Sequence, residues 1–164
     1  MQCRVGFGFD VHPLISDRDF VLGGVLIPHP KGPAGHSDAD VLIHAICDAL
    51  LGAAGLRDIG FHFPDTEDQY KNIESIVLLK RVAILLYDNN YIIGNIDATV
   101  CLELPRLSTY IPQMKQVLAQ ALKISESAIG IKATTNERMG FVGREEGITA
   151  YAVALIELIA PLKK

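Results

Sequence analysis

The stretch Gly147-Ile148-Thr149-Ala150-Tyr151-Ala152-Val153-Ala154-Leu155-Ile156-Glu157-Leu158-Ile159-Ala160 decides the fold. Its Ala and Leu content suits a helix. Its alternation suits a strand: Ile148, Ala150, Ala152, Ala154 and Ile156 lie at one parity, and Thr149, Tyr151, Val153 and Leu155 at the other. Apolar residues at both parities describe a strand buried on both faces. The preceding chain runs strand, helix, strand and needs a closing strand, so we read 147–160 as that strand.

Working outward, residues 2–12 read as a strand, with Cys3, Val5, Phe7, Phe9 and Val11 at period two. Gly6 and Gly8 inside it point to close approach of another backbone or a ligand. Gly23-Gly24 between Phe20-Val21-Leu22 and Val25-Leu26-Ile27 signals a two-residue hairpin. Residues 28–36 read as a Pro/Gly loop. Ser37 is the expected N-cap of a helix whose stripe is Val41, Leu42, Ala45, Ile46, Ala49 and Leu50. A long acidic loop spans 56–70. A helix over 73–87, a strand over 91–104, a helix over 110–122 with Pro112 in its first turn, and a strand over 128–134 follow. A Gly-rich loop, 139–144, leads into the last strand. With no internal repeat and no linker, the chain is read as one α+β domain, residues 1–164.

The chain has 164 residues, 49% hydrophobic and 21% charged. This suits one domain with a core that needs no disulfides. The net charge is −4. No basic run exceeds Lys163-Lys164, which argues against generic nucleic-acid or anionic-membrane binding. No segment offers the ~20 apolar residues that cross a bilayer; Ile148–Leu162 is too short and contains Glu157, and Lys80-Arg81 breaks Ile76–Tyr87. Arg4 and Asp10 interrupt any signal peptide. The three cysteines, Cys3, Cys47 and Cys101, are far apart and suit a reducing cytosol. Met1 directly before the first strand gives the expectation of a bacterial cytoplasmic protein.

Four segments could carry chemistry. Asp10 and His12 share one strand face and together suit zinc or another borderline metal; the plain alternative is an exposed pair. His44 lies within an apolar helix, with Asp40 and Asp48 at neighbour spacing to accept its second N–H; the plain alternative is a core histidine. Joined to Asp10 and His12, it completes three ligands and leaves a fourth position open, as catalytic zinc sites do. His36 and Ser37 precede that helix, where free N–H groups favour phosphate. Asp58-Ile59-Gly60 and Phe63-Pro64-Asp65-Thr66-Glu67-Asp68 read either as a solvated acidic loop or as recognition of ligand hydroxyls. Lys132-Ala133-Thr134-Thr135-Asn136-Glu137 leads into Gly140-Phe141-Val142-Gly143-Arg144. Its hydroxyls can donate to phosphate, Glu137 can hold Mg²⁺, and Arg144 can clamp an anion. It is not a Walker A motif, and a capped turn is the plain alternative.

In order, GFGFDVH, GHSDADVLIHA, DIG with FPDT, and KATTNERMGFVGREEGI resemble one family over essentially the whole chain: 2-C-methyl-D-erythritol 2,4-cyclodiphosphate synthase, of the non-mevalonate isoprenoid pathway. The resemblance implies cyclisation of 4-diphosphocytidyl-2-C-methyl-D-erythritol 2-phosphate. The 2-phosphate attacks the β-phosphorus and CMP leaves. It implies Zn²⁺ on Asp10, His12 and His44, and Mg²⁺ or Mn²⁺ on Glu137. His36 and Thr135 become the transition-state stabilisers. Ser37, Asp58, Ile59, Gly60 and Phe63 to Glu67 become contacts of the erythritol end. Leu102, Pro105, Arg106, Lys132 and Thr134 line the cytidine pocket. Asn136, Phe141 and Arg144 complete the set. Leu102, Arg106, Ser108 and Glu67 depart from the residues usual in the family.

The resemblance also implies a four-stranded mixed sheet with helices on one face. Three copies form a homotrimer with sheets facing the threefold axis and active sites between subunits. Two other readings remain at this point. A zinc-dependent phosphohydrolase would consume water, and a trimeric carrier of isoprenoid diphosphates would bind without turnover.

Overall fold

A computed structural model describes residues 2–70 and 72–159. Ala160 of the expected last strand, Leu162, and the Lys163-Lys164 pair lie outside them.

The decisive stretch is a strand. β1 (Cys3–Ser16), β2 (Phe20–Leu22), β3 (Val25–Ile27) and β4 (Lys31–Pro33) are followed by α1 (Val41–Ala54) and α2 (Ile59–His62). Then come α3 (Ser75–Asp88), β5 (Tyr91–Cys101), α4 (Ile111–Leu122), β6 (Ile129–Thr134), α5 (Gly140–Gly143) and β7 (Gly147–Leu158). β7 is the middle of a five-stranded sheet, in the order β4-β1-β7-β5-β6. It is antiparallel to β1 and β5, and β5 and β6 are parallel. β2 and β3 form a separate hairpin at Gly23-Gly24.

The sheet has five strands rather than four. The added strand, β4, lies within the expected Pro/Gly loop and pairs Lys31, Gly32 and Pro33 with Ser16, Ile15 and Leu14. Three residues containing a Gly and a Pro carry no period-two pattern, so only the length of β1 reveals the pairing.

The helices cover one face. Ile148, Ala150, Ala152, Ala154 and Ile156 of β7 are buried beneath them, with Ile96, Ala98 and Val100 of β5. α1 lies almost on the backbone of β1. A Cβ on Gly6 would stand 1.9 Å from the Ala49 carbonyl oxygen, and one on Gly8 2.0 Å from that of Ala45. The close approach expected at these glycines is thus an approach of helix backbone. The opposite sheet face stays bare in a single chain: Val5, Phe7, Phe9, Val11, Tyr151 and Val153 are all exposed.

The helix cap also differs from expectation. Asp40, not Ser37, caps α1, accepting the Ile43 N–H at 3.1 Å. Its second oxygen accepts the Gly24 N–H at 2.7 Å and ties the hairpin to the helix. Among the described residues, no helix is long and apolar enough to cross a membrane.

Candidate active site

β1 carries Asp10 and His12 on one face, and the first turn of α1 presents His44 to them. Three donor atoms converge. Asp10 Oδ2 lies 2.9 Å from His44 Nδ1 and 3.0 Å from His12 Nε2, and the two nitrogens are 3.3 Å apart. Ligands at ~2.0–2.1 Å around a tetrahedral zinc stand about 3.3 Å from one another. The spacing and the nitrogen–oxygen donor set therefore fit a zinc-sized cation.

Electrostatics hold the triad together. Burial pushes the Asp10 carboxyl up, but hydrogen bonds from His12 and His44 and their charge outweigh it and bring its pKa to about 2. Burial pushes His44 down, and the Asp10 carboxylate outweighs that and raises it. Asp10 Oδ1 accepts the Val11 N–H at 2.9 Å, which leaves Oδ2 for the two rings.

The outer neighbours of His44 are not those expected. Asp40 is occupied by the helix cap and the hairpin, and Asp48 accepts the Ile59 N–H at 2.7 Å. The His44 Nε2 instead meets Ser75 Oγ at 2.9 Å and Ser37 Oγ at 3.3 Å. Ser75 lies 31 residues away, so no local spacing announces it.

The triad opens into a cleft of about 180 Å³ lined by His12, His36, Ser37, His44, Ile59, Gly60, Phe63 and Asp65. Tyr70, Ile73 and Leu78 line it too and were not anticipated. His36 is exposed, 3.8 Å from Asp65 Oδ2. Asp58 caps α2 through the Phe61 N–H at 2.9 Å and so sets the course of Ile59 and Gly60. Pro64, Thr66 and Glu67 lie beyond the lining residues.

A second cleft, about 270 Å³, is lined by Leu102, Glu103, Pro105, Arg106, Leu107, Ser108, Ile111, Ala133, Thr134 and Thr135. It is a different surface of the chain and shares no lining residue with the first. Thr135 Oγ1 donates to Glu137 at 3.2 Å, and the Asn136 N–H is held by Glu103 at 3.2 Å. Glu137 and Arg138 both have left-handed backbones, a costly conformation for such residues that tends to mark functional turns. Lys132 pairs with Asp97 on the neighbouring strand rather than lining this cleft. Arg144 forms a two-pronged pair with Glu146, and Phe141 lies exposed in α5; neither lines either cleft.

Comparison with known proteins fits this arrangement. The profile of the YgbB family matches residues 3–157. The chain belongs to the YgbB family. A Bacteroides fragilis protein named 2-C-methyl-D-erythritol 2,4-cyclodiphosphate synthase is 59% identical over 159 residues, covering 97% of this chain and all of that one. Among solved structures, the bifunctional IspDF of Campylobacter jejuni superposes with a TM-score of 0.93 at 39% identity. That match covers 96% of this chain and 43% of the longer one. The Plasmodium falciparum IspF, solved as a CDP complex, gives 0.85 at 32% identity over 96% of this chain and 97% of that one. The expected family membership is thus met, and this YgbB-family chain is an enzyme.

Proposed function

We propose that the protein converts 4-diphosphocytidyl-2-C-methyl-D-erythritol 2-phosphate to 2-C-methyl-D-erythritol 2,4-cyclodiphosphate and CMP. The convergence of Asp10, His12 and His44 at the mouth of a cleft lined by His36 and Ser37 carries this reading. The names of close relatives and the CDP complex of a structural neighbour support it.

The reaction needs no protein nucleophile, because the substrate's own 2-phosphate attacks its β-phosphorus. The protein's task is to bring the two ends of a flexible polyanion together and to offset charge on the transferring oxygens. Zn²⁺ on Asp10, His12 and His44, with Mg²⁺ or Mn²⁺ on Glu137, would supply electrophilic stabilisation of the phosphates and admit a polyanion to an acidic chain. His36 and Thr135 offer N–H and O–H donors to the phosphoryl oxygens. Ser37 holds the erythritol-end phosphate, and Ile59, Gly60 and Phe63 to Glu67 border that end. Leu102, Pro105, Arg106 and Thr134 enclose the cytosine base.

The two clefts are separate, which supports pairing them across subunits. In a homotrimer the bare sheet faces turn inward and the metal triad of one chain meets the cytidine cleft of its neighbour.

Phosphorus NMR of the protein with substrate, Zn²⁺ and Mg²⁺ tests the reaction. A cyclic diphosphate with stoichiometric CMP supports it, and an acyclic bisphosphate or free inorganic phosphate favours a hydrolase. His44→Ala is expected to fold, lose zinc and fall to background turnover. Normal zinc in that variant would remove His44 from the ligand set. Glu137→Gln is expected to keep zinc and lose the response of rate to added Mg²⁺, and an unchanged magnesium titration argues against that role.

A further inference from the structure

We infer that Ser75 and Asp38 are positioning residues that hold the Nε2 proton of His44 and so keep Nδ1 turned to the metal position. The inference rests on the reading of Asp10, His12 and His44 as a cation site.

The argument is one of proton inventory. Ser75 is the first residue of α3 and is fully buried. Its backbone N–H donates to Asp38 Oδ2 at 3.0 Å, and its hydroxyl donates to Asp38 Oδ1. A carboxylate can only accept, and a hydroxyl has one proton to give. With that proton committed to Asp38, Ser75 Oγ meets His44 Nε2 at 2.9 Å as an acceptor. The Nε2 proton is therefore the one the ring keeps when a cation takes the place of the proton that Nδ1 shares with Asp10. Nδ1 then turns its lone pair to the point where Asp10 and His12 converge.

Without this chain a competing arrangement is at hand. An Nδ1–H would donate to Asp10 Oδ2, 2.9 Å away, and occupy the metal position with a proton. Ser37 cannot replace Ser75 on equal terms: its oxygen is farther, 3.3 Å, and already accepts the Ala39 N–H at 3.0 Å.

The same contacts tie the ligand to the substrate loop. Asp38 follows His36 and Ser37 directly. The Asn72 N–H donates to the His36 carbonyl at 2.8 Å, and the Asp38 N–H to that of Ile73 at 3.2 Å. The start of α3 thus sets both the ring of His44 and the loop that carries His36 and Ser37.

The test compares wild type, Ser75→Ala and Ser75→Thr. Ring ¹⁵N shifts of His44 are read in zinc-loaded protein, where the ion has displaced the Nδ1 proton. Zinc affinity is read by competition with a chromophoric chelator. The wild type should show the Nε2–H form. Ser75→Ala should leave that proton without its partner, move the Nε2 shift, and bind zinc about 10–100-fold more weakly, the usual cost of losing such a partner. Ser75→Thr, which keeps the hydroxyl, should hold both close to wild type. Unchanged ring shifts and affinity in Ser75→Ala overturn the inference, as does equal loss in Ala and Thr. Asp38→Asn keeps the shape but withdraws the charge that claims the Ser75 proton, and it too must loosen zinc. A folded Asp38→Asn protein with wild-type affinity overturns the inference even where Ser75→Ala does not fold. Wild type that passes these tests yet makes no cyclic product would sink the proposed reaction and leave the relay standing.

Discussion

Asp40 joins two parts of the chain with one buried carboxylate. One oxygen takes the Ile43 N–H of the first helical turn, and the other takes the Gly24 N–H of the hairpin. Losing a cap costs ~0.5–2 kcal/mol. Leaving a buried N–H without a partner costs ~1–3 kcal/mol more. Asp40→Ala should therefore lose about 2–4 kcal/mol in urea unfolding, and a loss below ~0.5 kcal/mol would mean the carboxylate is replaced by water. Three capping residues, Ser37, Asp38 and Asp40, compete within four positions, and their order in the sequence does not rank them. What ranks them is tertiary: the hairpin brings the Gly24 N–H to Asp40, and α3 brings Ser75 to Asp38. Asp10, His12 and His44 were legible because each stands out against an apolar background at strand or helix spacing. Ser75 was not, because it is one serine among ordinary residues until the fold sets it against the ring.

The α1–β1 contact depends on side chains that are absent. Gly6 and Gly8 face Ala45, Ala49 and Ala53, so helix and strand meet nearly backbone to backbone. A methyl at Gly8 would lie 2.0 Å from a carbonyl oxygen that cannot move without its helix. Gly52, on the same helix, is exposed, and its added Cβ would meet only Phe7 O at 3.9 Å. Gly52→Ala should raise stability by ~0.5–1 kcal/mol through helix propensity. Gly8→Ala should lower it by several kcal/mol and, by lifting α1 off β1, weaken zinc binding as His44 parts from Asp10. Thermal melts and zinc titration of the two variants separate these outcomes; equal melting temperatures would refute the close-packing account. Period-two patterning made β1 legible, β-branched content did so for β5, apolar residues at both parities for β7, and Gly-Gly for the hairpin. β4 was not legible, because its pairing is dictated by the partner strand rather than by its own residues.

At the scale of the molecule, the last strand keeps its double apolar character unexplained by one chain. One face is buried under helices, and the other shows Tyr151 and Val153 beside Val5, Phe7, Phe9 and Val11. A continuous bare sheet face of this kind is a surface built to be covered, and the proposed homotrimer covers it with itself. The same assembly would bring two incomplete clefts together, and this can be tested without seeing the trimer. His44→Ala damages only the metal triad, and Glu137→Gln only the turn beside the second cleft, where Glu137 meets Thr135. If each working site takes its triad from one chain and Glu137 from a neighbour, a mixture of the two inactive variants contains intact sites. Random equal mixing, by unfolding and refolding together, leaves about a quarter of the sites with both partners sound. Turnover should therefore reappear at about a quarter of the wild-type rate per site, while each variant refolded alone stays inactive. A site completed within one chain predicts no recovery at any mixing ratio. Val153→Glu, which puts a charge on the bare face, should abolish both the recovery and the assembly seen by sedimentation, while circular dichroism keeps the fold of the single chain.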